Sequence, residues 1–329
     1  MNAPKSSDFL QQRLKAWQPI LTPKWVIISF AIVGCIFVPI GGILLSASNG
    51  VVEASIQYGG SGHATSCTNG GNCTVDITVT EKMSAPVYIY YELDNFYQNH
   101  RRYVKSRSDQ QLSSGEIMDS SKLGDCDPKK TGIANNETAS FVLHPCGLVA
   151  SSFFNDSYTF SGYTPDETGI AWKSDVEKKF KKVSTAEYAS AVAARSTGAA
   201  DARWFLSDLF PGVIDSSKEV EDEHFIVWMR VAALPRFRKL WGKIDLDIAK
   251  DTVISVTVDD RFNVDAFEGK KSLVLSTTSF MGGKNPFLGW AYIFVGLLCI
   301  LLAIAFAVKQ CMSPRKPGDT EHLQWSPSH

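Results

Sequence analysis

Two apolar runs constrain this chain more than any other feature. From Asn285 to Val308 it reads NPFLGWAYIFVGLLCILLAIAFAV, and after Pro286 twenty-two residues pass without a charge. As a helix rising about 1.5 Å per residue the run is about 33 Å long, enough to cross the hydrocarbon core of a bilayer. Asn285 is placed as an N-cap and Pro286 as the first helical residue, with Trp290 and Tyr292 suited to the interface. The second run, Trp25 to Ser46 (WVIISFAIVGCIFVPIGGILLS), also holds twenty-two uncharged residues. Small residues Ser46, Ala47 and Ser48 would suit a signal cleavage site. However, the run exceeds the apolar core of about 7 to 15 residues in a cleaved signal, and twenty-four residues precede it, so it reads as an uncleaved anchor.

These spans divide the chain into a tail (1–24), a first transmembrane helix (25–46), a large middle domain (47–284), a second transmembrane helix (285–308) and a final tail (309–329). Lys5, Arg13, Lys15 and Lys24 stand against Asp8 before the first span, and Lys309, Arg315 and Lys316 against Asp319 and Glu321 after the second. Both tails are expected on the cytosolic side under the positive-inside rule, with the middle domain lumenal or extracellular. That domain holds the remaining 26 basic and 31 acidic residues, a net charge of -5, which argues against nucleic-acid binding.

Of seven cysteines, Cys35 and Cys299 lie in the spans and Cys311 in the last tail. Cys67, Cys73, Cys126 and Cys146 remain in the middle domain. An even number in one extracytosolic compartment points to disulfides, and four cysteines allow three pairings. Sequential pairing, Cys67 with Cys73 and Cys126 with Cys146, is favoured over the crossed alternatives. A zinc site is disfavoured, because paired C-x-x-C spacing is missing and no histidine stands near the first two cysteines. Glycosylation sequons begin at Asn72, Asn136 and Asn155, all in the same segment.

Val51–Tyr58, Thr74–Thr80, Pro86–Leu93, Phe225–Val231, Thr252–Val258 and Leu273–Thr277 read as strands, TVDITVT by strict alternation. Asp175–Lys182, Thr185–Arg195 and Arg203–Phe210 read as helices between the two groups. Strands on both sides must therefore pair across a helical, loop-rich insertion, and an antiparallel, sandwich-like α+β domain is the economical architecture. In the first tail Leu10, Leu14, Trp17 and Leu21 keep near-helical spacing until Pro19 and Pro23 interrupt. That segment reads either as a membrane-surface or partner helix or as a partly ordered tail.

Catalytic motifs are scarce: H-E-x-x-H, G-x-S-x-G and the P-loop pattern do not occur, and no catalytic, cofactor or metal residue is assigned. Asp127-Pro128-Lys129-Lys130-Thr131-Gly132 faintly resembles the phosphorylated loop of ion pumps but lies beside Cys126, and reads as a turn. His144, before Pro145-Cys146, reads as structural. Lys178, Lys179, Lys181 and Lys182 read as a solvated helical face. Arg236, Arg238 and Lys239 read as a solvated turn after a buried strand, or else as a patch for lipid headgroups or a partner.

Several stretches resemble one family: Phe9 with QQRLKAWQPILT (residues 11–22), Pro39-Ile40-Gly41, NFYQNHRRYVK (95–105), Pro145-Cys146-Gly147 with Phe154-Asn155-Asp156, Gly169-Ile170-Ala171-Trp172, FIVWMRVAALPRFRKL (225–240) and LSTTSFMGGKNPFLG (275–289). In this order they are similar to the cell division control protein 50 family, also called the transmembrane protein 30 family. Val183–Ser217 and the last dozen residues match least. The resemblance implies a non-catalytic accessory subunit, forming a heterodimer with a type-4 P-type ATPase that flips phospholipids from the outer to the cytosolic leaflet. It implies two spans with cytosolic ends, a glycosylated, disulfide-bonded β-rich ectodomain, and residence in endoplasmic reticulum, Golgi, endosomal or plasma membrane. ATP hydrolysis would belong to the partner, and Asn155 fits the family's glycosylation pattern best. Gly34, Gly41, Gly42, Gly289 and Gly296 permit close helix contact. Gly289 and Gly296 are expected to make the second span a partner-docking helix. The alternative is a two-span ligand-gated channel subunit, which shares this topology.

Overall fold

A computed structural model describes residues 7–15, 22–61, 67, 71–133, 140–197 and 202–314. It separates into two compact units, the two long helices with their flanking residues and the domain Val51–Lys284. The helices are α1 (Pro23–Asn49) and α9 (Phe287–Met312). With mean hydropathies of 2.5 and 2.8, both are long and apolar enough to cross a membrane. α9 begins one residue later than the sequence suggests. Pro286 flanks it, and Asn285 Oδ1 accepts from the Phe287 N–H at 3.1 Å. Such one-residue offsets are ordinary where a helix end frays.

Among the described residues the domain has ten strands: β1 (Glu53–Gly60), β2 (Gly71–Thr78), β3 (Val87–Asp94), β4 (Thr131–Ile133), β5 (Ser140–His144), β6 (Ser157–Phe160), β7 (Arg203–Phe205), β8 (Phe237–Ile244), β9 (Val253–Asp260) and β10 (Lys270–Ser276). Between them run short helices α2 (Arg101–Lys105), α3 (Asp109–Ser114), α4 (Leu148–Ser151), α5 (Lys173–Lys178), α6 (Thr185–Thr197), α7 (Leu206–Leu209) and α8 (Glu223–Met229). One antiparallel sheet has the order β1-β10-β3-β8 and a second the order β2-β9-β6. A small mixed sheet is β4-β5-β7, with β5 and β7 parallel.

The pairing is nested: β1 with β10, β2 with β9 and β3 with β8. The two ends of the domain therefore close on each other across the helical insertion, as the sequence requires. Alternation sets which face is buried. Val75 and Ile77 of β2 and Ile254, Val256 and Val258 of β9 point inward, as do Val87, Ile89, Tyr91 and Leu93 of β3, and all belong to one apolar core shared by the two larger sheets. Tyr91 stacks on Phe154 at 3.9 Å inside it.

Two expectations fail. Phe225–Val231 is not a strand, because residues 223–229 form α8. Asp222 caps it, its Oδ1 accepting from His224 N at 2.9 Å and Phe225 N at 3.3 Å. Phe225, Ile226, Trp228 and Met229 are buried on helical spacing, and Trp228 Nε1 donates to Val149 O at 2.8 Å.

Nor do all of Arg236, Arg238 and Lys239 form a solvated turn: Arg236 lies in an exposed bend, but the last two lie in β8. Arg236 and Arg238 grip Glu92 of β3 at 2.8 and 2.6 Å, and Arg238 also reaches Glu53 of β1 at 2.9 Å. Lys239 is buried, its Nζ donating to Val227 O at 2.9 Å, to Trp228 O at 3.0 Å and to Arg230 O. It thus satisfies carbonyls left open at the end of α8 and ties that helix to β8.

Boundaries shift elsewhere. Arg203–Phe205 is strand, with helix only from Leu206, and α5 stops at Lys178. The lysine run therefore leaves the helix, Lys179 pairing with Asp175 at 2.8 Å and Lys182 Nζ donating to Ser217 O at 2.6 Å. Asp127 and Pro128 do lie in a turn, closed by Lys129 N on Cys126 O at 2.8 Å. Of the amphipathic tail residues, Trp17 and Leu21 fall outside the described residues.

Candidate functional site

The helix pair is built around four glycines. Gly34 and Gly41 lie seven residues apart on α1, Gly289 and Gly296 seven apart on α9, and all four are buried. A Cβ on Gly34 would stand 2.8 Å from Gly296 O, and one on Gly41 2.9 Å from Gly289 O. Added to Gly289 it would meet Leu45 N at 2.9 Å, and to Gly296 the Val38 N at 3.0 Å. Residue numbers rise along one helix as they fall along the other, so the pair is antiparallel and its backbones touch at two levels. Phe37 against Tyr292 (5.0 Å) and Phe30 against Phe306 (6.1 Å) flank these contacts, and Asn285 N donates to the buried Ser48 Oγ at 3.0 Å. Gly289 and Gly296 therefore face α1 of their own chain. Gly42 lies on the exposed side, where an added Cβ would meet nothing within 4 Å.

In the domain the structure joins Cys67 to Cys73 and Cys126 to Cys146, with Cα separations of 5.1 and 5.6 Å. The second closes a separation of 20 residues, worth roughly 3 kcal/mol in the chain-entropy account. Two sequons share a row of one sheet. Asn72 of β2 and Ser157, the hydroxyl residue of the Asn155 sequon, are both register partners of Asp259 in β9, which places them on one face roughly 10 Å apart. Asn72 is exposed and Asn155 half-buried. Asn136 lies outside the described residues.

The middle residue of the Asn155 sequon is the hub of a buried ionic cluster, which motif reading missed. Asp156 Oδ1 accepts from Arg261 N (2.7 Å) and Phe262 N (2.6 Å), and Oδ2 from Tyr58 OH (2.9 Å) and Lys271 Nζ (2.7 Å). Lys271, fully buried, also binds Asp260 and donates to Phe262 O at 2.6 Å, while Tyr58 OH meets Tyr158 OH at 2.6 Å. One ammonium thus serves two carboxylates, and strands β1, β6, β9 and β10 are tied at one point. Burial outweighs the attraction of Lys271 and raises the Asp156 carboxyl above its usual range.

His144 is buried where β5 meets β7, its ring edge-on to Phe205 at 5.6 Å. Burial, with Arg203 nearby, holds its pKa at about 4. Between pH 6.5 and 4 the unfolded chain binds the extra proton, so stability is lost as pH falls through that window, by about 3 kcal/mol for a shift of this size. His144→Phe is expected to flatten this part of the pH–stability curve. The check is urea unfolding of wild type and variant at pH 7, 5.5 and 4.5, and equal slopes would show that His144 does not titrate there.

The family model for the LEM3 (ligand-effect modulator 3) family / CDC50 family matches residues 44–316, which include the end of α1, the whole sheet domain and all of α9. ALA-interacting subunit 3 of Arabidopsis thaliana is 44% identical, over 98% of this chain and 90% of that protein. Cell cycle control protein 50A of Bos taurus is 36% identical, over 93% and 88%. Phospholipid-transporting ATPase accessory subunit CRF1 of Saccharomyces cerevisiae is 30% identical, over 99% and 89%. Similarity on this scale covers helix pair and sheet domain together, and the chain is an integral membrane protein of the CDC50 (LEM3) family.

Proposed function

We propose that this protein is the non-catalytic accessory subunit of a phospholipid-transporting P-type ATPase, supporting movement of phospholipid from the outer to the cytosolic leaflet. The observation that carries the reading is full-length similarity to a relative named as such an accessory subunit, together with others named as interacting subunits. ATP hydrolysis and the lipid path belong to the pump. Both tails lie in the cytosol and the sheet domain outside it, where cystines Cys67–Cys73 and Cys126–Cys146 persist and Asn72, Asn136 and Asn155 can carry glycans. Glycans at Asn72 and Asn155 would leave from one face of the β2-β9-β6 sheet, so the pump's outer loops meet other surfaces of the domain.

Gly289 and Gly296 act on pump association through the helix pair: they hold α9 on α1, and the pair docks as a unit. The test is gentle affinity purification of the full chain followed by native mass measurement. One copy bound to one P-type ATPase is the expected result. A complex of three identical copies without a pump would overturn the proposal and favour a channel subunit.

A further inference from the structure

Both ring nitrogens of His144 lack a hydrogen-bond partner among the described residues, although the ring is 2% exposed. A neutral imidazole carries one donor and one acceptor, and leaving such groups buried and unsatisfied is costly. His144 is one of the residues lining a cavity of about 240 Å³. A dry cavity of about 150 Å³ is enough for benzene, so this one has room for a substituted ring.

Its walls suit that shape. Tyr188 and Phe205 stand 4.4 Å apart, Val183 and Val220 are buried beside them, and exposed Lys182 forms part of the rim. The other buried polar group in the wall, Glu219, is already engaged by Ser207 through its N–H (3.2 Å) and hydroxyl. His144 is thus left to meet a guest. An uncharged guest avoids the cost of burying an unpaired ion, and a hydroxyl can both donate and accept, so it can partner the one ring nitrogen it meets in either imidazole tautomer.

We propose that the His144 cavity binds a small uncharged phenol, with its ring against Tyr188 and Phe205 and its hydroxyl hydrogen-bonded to the His144 imidazole. The proposal does not depend on the partner assignment, since the site is built within the sheet domain.

The probes are p-cresol and p-xylene, which differ only by hydroxyl against methyl, titrated against the full-length protein in detergent. At a tenfold excess over its Kd, p-cresol should raise the melting temperature by about 4 °C and bind about tenfold more tightly than p-xylene. His144→Phe should abolish the preference, and Val183→Phe, which fills the cavity, should abolish both shifts. The proposal is overturned if p-cresol gives no shift, if p-xylene binds equally well, or if Val183→Phe responds like wild type. Should His144→Phe fail to fold, the wild-type comparison of the two probes and the Val183→Phe response still decide.

Discussion

Replacing Lys271 with methionine is expected to lower the melting temperature of the full-length protein by on the order of 10 °C, the largest single-site effect in the sheet domain. Among the described residues Lys271 is the only cation touching Asp156 and Asp260 at their buried ends, and all three are essentially without solvent. Removing it leaves two carboxylates facing each other in the core. Breaking a buried pair in this way costs about 3–5 kcal/mol, whereas replacing all members by neutral groups costs far less. The triple variant Lys271→Met, Asp156→Asn, Asp260→Asn should therefore melt higher than Lys271→Met alone. Asp156→Asn keeps the sequon as Asn-Asn-Ser, so the gel mobility of the glycoform reports separately on glycan loss. If Lys271→Met melts within about 2 °C of wild type, the cluster does not hold the strands together.

The second large effect concerns the membrane helices. Gly34→Leu and Gly296→Leu are each expected to separate α1 from α9, because the added atoms would meet backbone as well as side chains. Overpacking costs about 1–3 kcal/mol where neighbours can adjust, and these sites belong at the upper end. Both variants should recover at most a third as much pump as wild type in affinity purification. Gly42→Leu, placed where a Cβ meets nothing, should leave the melting temperature unchanged. Normal pump recovery with Gly296→Leu would mean that the α1–α9 contact is not what presents the helices to the pump.

Much of this architecture was legible in the sequence, because two long uncharged runs and strict two-residue alternation are local signals. Val75, Ile77, Ile254 and Val256 announce their buried face without help from distant residues. Pairing across the helical stretch also followed, since strands on either side of it have few other partners, but the nested order did not. What stayed hidden depended on distance along the chain. Arg238 and Lys239 look solvated until Glu92 and the end of α8 are brought beside them. Phe225–Met229 is too short for its period to separate helix from strand, and the readable clue was Asp222 in N-cap position. Asp156 was visible only as the spacer of a sequon, because its partners Tyr58, Arg261 and Lys271 lie about a hundred residues away on either side. Of the five glycines read as sites of close helix contact, Gly34, Gly41, Gly289 and Gly296 are and Gly42 is not; the sequence does not say against which helix, and the structure sets Gly289 and Gly296 against α1.

The most direct test of the accessory role is uptake of a fluorescent phospholipid by cells that express the co-purifying ATPase with and without this chain. Inward translocation and exit of the pump from the endoplasmic reticulum should both be lost without the chain, and restored by the wild type but not by Gly296→Leu. Undiminished translocation by the pump alone would contradict that role.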